Sequence, residues 1–189
     1  AGYVLFYIMI AFSQIYAKSA PTVSEAGYAM GLGFSPQIFT ALLMCSAISL
    51  AITIAISGKY IDIVGRRIWL IWTTFGVAIF GLALPYFLDN GTTTSLFWFL
   101  MIGMGLIGMG YGPLASLLPE LFPTHARYSG ASLTYNISGL FGASVAAIIT
   151  LPLNANYGLK GVGIYLTLNA IVSLIGLWFI AETRDNRLL

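Results

Sequence analysis

The chain has 189 residues, 59% of them hydrophobic and 7% charged, with a formal net charge of +2. Soluble domains carry roughly 25% charged residues, and here eight Lys and Arg with six Asp and Glu cannot cover a soluble globule of 20.3 kDa. A mean hydropathy of +0.91 completes the exclusion of a soluble enzyme, a disordered tail and a nucleic-acid binder.

The lone cysteine, Cys45, forms no internal disulfide, and the lone histidine, His125, seeds no His/Cys metal cluster. No nucleophile elbow, zinc-protease motif or Walker loop occurs, so neither a cofactor, a metal nor an enzymatic site is expected. The chain lacks an initiator Met and opens inside an apolar run, which reads as a piece of a longer protein.

Charges divide the chain into six long charge-free runs, residues 1–17, 26–58, 68–88, 90–119, 128–159 and 161–181. A membrane-spanning helix needs about 20 mostly apolar residues. Lipid offers backbone groups no partner, and these runs are too long and too irregular for barrel strands. The expectation is an all-α membrane protein with six transmembrane helices, spanning about residues 1–22, 35–58, 68–88, 95–118, 128–152 and 161–181.

In the first helix Tyr3, Tyr7, Gln14 and Lys18 recur at spacings that place them on one face. Lys18 has two readings: it holds the carboxylate of an anionic ligand, or it snorkels to the membrane interface. Tyr3 and Tyr7 read equally as interface aromatics. Gly31, Gly33, Ser35 and Pro36 break the chain before the second helix. There Ser46, Ser49, Thr53 and Ser57 form a stripe of small hydroxyl residues, the kind of face that packs helices closely.

Lys59 to Arg67 reads as a tight, charged link, and Asp89-Asn90-Gly91 as a turn. Asn90-Gly91-Thr92 matches a glycosylation sequon, but the turn is the better reading. The fourth helix contains Gly103-x-Gly105-x-x-Gly108, which lacks the preceding strand of a nucleotide-binding loop and lies inside a span. Its Gly108 and Gly112 form a close-packing pair, and Pro113 is expected to bend it, with Tyr111 at the bend as a ligand contact or a packing residue.

The fifth helix carries Ser132, Tyr135, Asn136 and Gly139 on one side; Asn136 bonds a ligand or a neighbouring helix. Asn154 to Gly161 reads as the connector to the last helix. Lys59, Arg66, Arg67, Arg127, Arg184 and Arg187 fall on one side of the membrane, and only Lys18 and Lys160 on the other. The positive-inside rule then puts both termini in the cytoplasm. No carboxylate lies clearly at midplane, and Glu25 alone is not assigned to an end.

Three segments carry a resemblance. SGKYIDIVGRR, residues 57–67, resembles the G-x-x-x-D-x-x-G-R-R/K signature of the major facilitator superfamily through Gly58, Asp62, Gly65, Arg66 and Arg67. PELFPTHARYSGASLTYNISGLFG, residues 119–142, is similar to the segment joining the tenth and eleventh spans in its metabolite:proton symporter branch, and AETRD, residues 181–185, to the end of the last span. The resemblance is weak over KSAPTVSEAGYAMG, residues 18–31, and around Ala146 and Ala147, where that branch often has a Pro.

The resemblance implies the C-terminal six-helix half of a twelve-helix transporter, in a bacterial inner membrane. The implied function is secondary, proton-coupled symport of a small organic acid or zwitterionic osmolyte by alternating access. The implied partners are the substrate, protons, the lipid bilayer, and either a missing N-terminal half or a second copy. Tyr7, Gln14, Lys18, Tyr111, Tyr135 and Asn136 are the expected substrate contacts.

Gly58, Asp62, Gly65, Arg66, Arg67, Glu120, Arg127 and Glu182 are the expected cytoplasmic gate. By resemblance Arg66 or Arg67 meets Glu120, Arg127 meets Glu182, and Asp62 faces a helix N-terminus. The plainer alternative is a set of ordinary positive-inside anchors. A sugar or aromatic-acid transporter of the same superfamily, or a non-transporting membrane module, remains as the alternative function.

Overall fold

The computed structural model describes residues 1–179, apart from the side chain of Asp62. Glu182, Arg184 and Arg187 lie outside the described residues. Helix α1 covers residues 2–18, α2 Pro36–Val64, α3 Arg66–Leu88 and α4 Thr93–Glu120. A long helical stretch over residues 127–179 breaks at Gly158, so the part before the break is α5 and the part after it α6.

Local chemistry sets these ends. Ser35 caps α2, its Oγ accepting from the Ile38 amide at 3.4 Å, with Pro36 in the first turn where no amide is needed. Thr92 caps α4 in the same way, accepting from the Ser95 amide at 3.2 Å. Between α2 and α3 stands a single residue, Gly65, at φ 102°. That is backbone an L side chain rarely adopts, so glycine is what allows one helix to stop and the next to start without a loop.

Here the structure departs from expectation. Lys59 to Val64 are the last turns of α2 and not a charged link, because charge alone does not end a helix. The segment from Asn154 to Gly161 is likewise helical except at Gly158, at φ 67° and ψ −169°. The first helix ends at Lys18, short of residue 22. Pro113, the expected bend, and Pro119 both lie within α4, which runs on to Glu120.

Among the described residues, four helices are long and apolar enough to cross a membrane: Pro36–Ile61, Arg66–Leu88, Thr93–Glu120 and Arg127–Phe179. The last of these has 53 residues. Straight, it would run about 80 Å at 1.5 Å per residue, far beyond the about 30 Å of a hydrocarbon core. The break at Gly158 divides it.

Packing follows small residues. The hydroxyl stripe of α2 lies on the glycines of α4: a methyl added at Gly108 would strike Thr53 Oγ1, with the Leu50 carbonyl at 2.6 Å, and one at Gly112 would strike Ser57 Oγ. Ser49 Oγ donates to the Met101 carbonyl at 2.9 Å. The α3–α6 contact is as close, with a Cβ built at Gly81 2.9 Å from the Gly163 carbonyl and Thr167 Oγ1 donating to the Ala78 carbonyl at 3.1 Å.

Between these pairs sits an apolar core of Phe12, Phe39, Phe80, Phe99 and their neighbours, with Phe80 and Phe99 stacked at 5.3 Å. Trp72, Phe75, Ile79, Leu82 and Tyr86 of α3 point outward and are exposed, a face suited to lipid.

Gly108→Val is expected to destabilise the protein by about 1–3 kcal/mol or to block folding, because two backbone atoms of α2 and a hydroxyl already occupy the space. Thermal unfolding of the purified full chain in detergent checks this, with Gly2→Val, where a Cβ meets nothing within 4 Å, as the control expected to unfold like the parent.

Candidate functional site

Two features lie toward one end of the bundle, where α2, α4 and α6 finish and α3 and α5 begin. The first is a set of charged side chains. Arg66, at the start of α3, forms an ion pair with Glu120, the last residue of α4. Both side chains are about four-fifths buried, at 19% and 22% exposure, so the pair lies in the seam between helices and is not a loose surface contact.

Arg67 points the other way. Its Nε donates to the Leu177 carbonyl at 3.0 Å and a terminal nitrogen to the Trp178 carbonyl at 2.7 Å. Its guanidinium also lies 6.0 Å from the Trp178 ring centre. Neighbouring arginines thus tie the start of α3 to α4 and to α6. Arg127, at the start of α5, has a buried Nε without a hydrogen-bond partner among the described residues; its expected partner, Glu182, lies outside them. A Cβ at Gly58 would meet nothing within 4 Å, so packing does not explain that glycine.

The second feature is an open cavity of about 580 Å³ lined by α1, α3, α4, α5 and α6. Its polar groups include Tyr3, Thr73, Tyr111, Tyr135, Ser138 and Asn169, and among the described residues its lining holds no Asp, Glu, Lys, Arg or His. Tyr3 and Tyr135 meet edge to face at 6.3 Å. Tyr3 stands in a notch on α5, where a methyl at Gly142 would lie 2.7 Å from the Tyr3 Cβ. Uncharged walls rich in hydroxyls and rings suit a ligand with an apolar body and a few hydrogen-bonding groups.

The helices that present Tyr3 and Tyr135 both contain a π-helical turn, Ile8–Phe12 in α1 and Leu140–Ser144 in α5. Such a turn absorbs one extra residue and rotates the helix beyond it by about 100°. The expected stripe is therefore split into two pairs, Tyr3 and Tyr7 before the turn and Gln14 and Lys18 beyond it. Tyr3 lines the cavity, Tyr7 packs partly buried against the core, Gln14 is exposed, and Lys18 Nζ lies 5.4 Å from the Phe39 ring centre.

Of the expected substrate contacts, the cavity brings together Tyr111 and Tyr135 and leaves out Tyr7, Gln14, Lys18 and Asn136. Asn136 is exposed and folds back on its own helix, its amide donating to the Ser132 carbonyl at 2.8 Å. Thr73, Ser138 and Asn169 went unrecognised in the sequence. A lone amide in an apolar helix was the available signal for Asn169; nothing distinguishes Thr73 and Ser138 from packing hydroxyls.

A family model described as "Sugar (and other) transporter" matches residues 27–188. A putative metabolite transport protein of Haemophilus influenzae is 88% identical over 188 residues, which is 100% of this chain and 42% of that relative. The inner membrane metabolite transport protein YhjE of Escherichia coli is 39% identical over 189 residues, 100% of the chain and 41% of the relative. A proline/betaine transporter of Salmonella typhimurium is 29% identical over 135 residues, covering 70% of the chain and 27% of the relative. The chain thus spans about two fifths of the length of the first two. No solved structure matches it.

Gly65→Ala forces an L side chain to φ 102° and is expected to cost about 1–3 kcal/mol. Glu120→Gln, which keeps shape but leaves the mostly buried Arg66 charge without its carboxylate, is expected to cost about 1–3 kcal/mol. Chemical unfolding of the purified full chain measures both; parent-like stability of Gly65→Ala would show that the joint does not need glycine, and parent-like stability of Glu120→Gln that the charge pair holds nothing.

Proposed function

The chain belongs to the sugar (and other) transporter family of the major facilitator superfamily, and we propose that it is the C-terminal six-helix half of a secondary transporter working by alternating access. The family is one of membrane transport proteins and not of enzymes. The six-span reading takes α1 to α6 as one crossing each, with Gly158 as the turn between the last two. Lys59, Arg66, Arg67 and Arg127 at one end against Lys18 and Lys160 at the other support cytoplasmic termini.

The observation that carries the reading is the Arg66–Glu120 pair. It joins the ends of two helices through charges alone, so it forms and breaks without rebuilding backbone. A pair of this kind, mostly but not fully buried, is worth about 1–3 kcal/mol. It biases a rocking equilibrium between two states without locking either, which alternating access requires. Gly58, Asp62, Gly65, Arg67, Arg127 and Glu182 complete the cytoplasmic gate in this proposal.

For the substrate, the cavity favours a small zwitterion or neutral polar metabolite over an organic acid. A net anion would want a cation in the wall, and no described residue supplies a charged side chain there. Tyr3, Tyr111, Tyr135 and Asn169 are the proposed contacts, with the exposed Gln14 and Asn136 turned toward the N-terminal half that completes the site. Names of relatives such as the proline/betaine transporter fit this class. Proton coupling belongs to the proposal on the strength of the resemblance. Its proton acceptor is expected outside this cavity, since burial must raise a carboxylate toward neutral pH and none among the described residues lines the walls.

The full-length protein in proteoliposomes, given labelled proline, glycine betaine, citrate and glucose under an imposed proton gradient, tests the reading. Saturable uptake of a zwitterion that collapses with the gradient is expected. Uptake of glucose or citrate instead would overturn the substrate class, and folded protein that moves none of the four would favour a non-transporting membrane module. Arg66→Ala is expected to lower uptake severalfold without changing the amount of protein in the membrane.

A further inference from the structure

The segment with the weakest family resemblance is folded. Residues 19–35 leave α1, turn and come back. Val23 and Ala29 form an antiparallel bridge, the Met30 amide donates to the Thr22 carbonyl at 2.9 Å, and the Ser24 amide donates to the Tyr28 carbonyl at 2.8 Å. Ser24 Oγ accepts from the Tyr28 amide at 3.1 Å.

The two ends of this segment are held very differently. Its returning end lies against the last turn of α1 through backbone bonds, Leu32 to the Tyr16 carbonyl at 3.1 Å and Phe34 to that of Ala17 at 2.8 Å, while Gly33 closes the segment on its own start at the Ser19 carbonyl, 2.8 Å away. Its tip reaches across to the corner between α5 and α6. There the amide of Asn154 donates to the Ala29 carbonyl at 3.1 Å, and the Tyr28 ring stands where a side chain at Gly158 would be, 2.6 Å from the built Cβ.

Asn154 is 1% exposed, yet its Oδ1 has no partner among the described residues. A buried amide with one side satisfied and the other stranded is a weak hold in a place where full satisfaction is the rule. Two backbone bonds to α1 at one end and, at the other, a side chain whose nitrogen also reaches Met30 Sδ at 3.6 Å but whose oxygen is stranded describe a hinge and a catch.

We propose that residues 19–35 are a strap hinged on α1 that opens and closes on the α5–α6 corner, with Asn154 as its catch, and that its opening is needed for passage at that end of the bundle. The need for passage rests on the transport reading; the hinge and catch do not. Opening would uncover Asn154 and Gly158 while leaving the α1 end in place. The Ala20-Pro21 start and the Gly33 end of the strap are the points about which it swings.

The test uses the full-length protein with Cys45 and any other cysteine replaced by serine. In the double variant Ala146→Cys/Asn154→Cys, both positions are buried on one helical stretch, at 0% and 1% exposure. With the catch removed, a soluble maleimide in detergent is expected to label position 154 roughly tenfold or more faster than position 146. Equal protection of the two would overturn the strap. Labelling of both would mark unfolding and leave the decision to a second arm. In that arm Ala29→Cys/Asn154→Cys is oxidised with copper phenanthroline, which replaces the catch by a covalent bond. The locked protein is expected to lose uptake and regain it on reduction; equal uptake when locked and reduced would overturn the strap's role. If the unlocked protein moves no substrate, the transport reading fails while the labelling still decides the hinge and catch.

Discussion

In lipid, two helices gain nothing by hiding leucines from water, so they stay together only where their backbones come close enough for dispersion and hydrogen bonding to act. That constraint shapes this protein. Gly105, Gly108 and Gly112 of α4 admit the hydroxyls of α2, and Gly81 and Gly163 let α3 and α6 touch at backbone distance. Once these two pairs are set, the remaining apolar side chains have a defined space to fill, and the large residues left outside face lipid. The arginine joints at the start of α3 depend on the same contacts, because Arg66 and Arg67 reach α4 and α6 only if those helices are already within a side chain's length.

The helical character and the weight of small residues were legible because both follow from composition and spacing. A run of twenty apolar residues has few other options in a membrane, and a Gly-x-x-x-Gly facing a Ser and Thr stripe suggests its own partner. What sequence spacing misjudged was where helices stop. Lys59 and Asp62 look like loop residues, but a charged side chain at a helix end can reach polar surroundings without ending the helix; the stop comes from the backbone of Gly65. The same holds for Asn154 and Asn156, whose amides find carbonyls nearby while the helix continues to Gly158.

The candidate site was harder to read for a geometric reason. Projecting Tyr3, Tyr7, Gln14 and Lys18 onto one face assumes a uniform turn, and the π-helical residues Ile8–Phe12 break that assumption midway. Such a turn leaves no mark in hydropathy. It puts Tyr3 against Tyr135 in the cavity while the far end of the helix shows other residues to other neighbours. The arginine pair was visible as a signature, yet its division of labour was not, since identical side chains one residue apart leave a helix about 100° apart.

The joint at Gly65 has a mechanical meaning. A loop between two helices works like a slack cable, taking up small displacements of one before the other feels them. A single residue has no slack. Any tilt of α2 arrives in full at the first turn of α3, where Arg66 and Arg67 are mounted, so the motion of one rod is read out at once as strain on contacts with two others. Lengthening this joint by a few residues would leave every helix and every contact chemically possible, and would still disengage the drive.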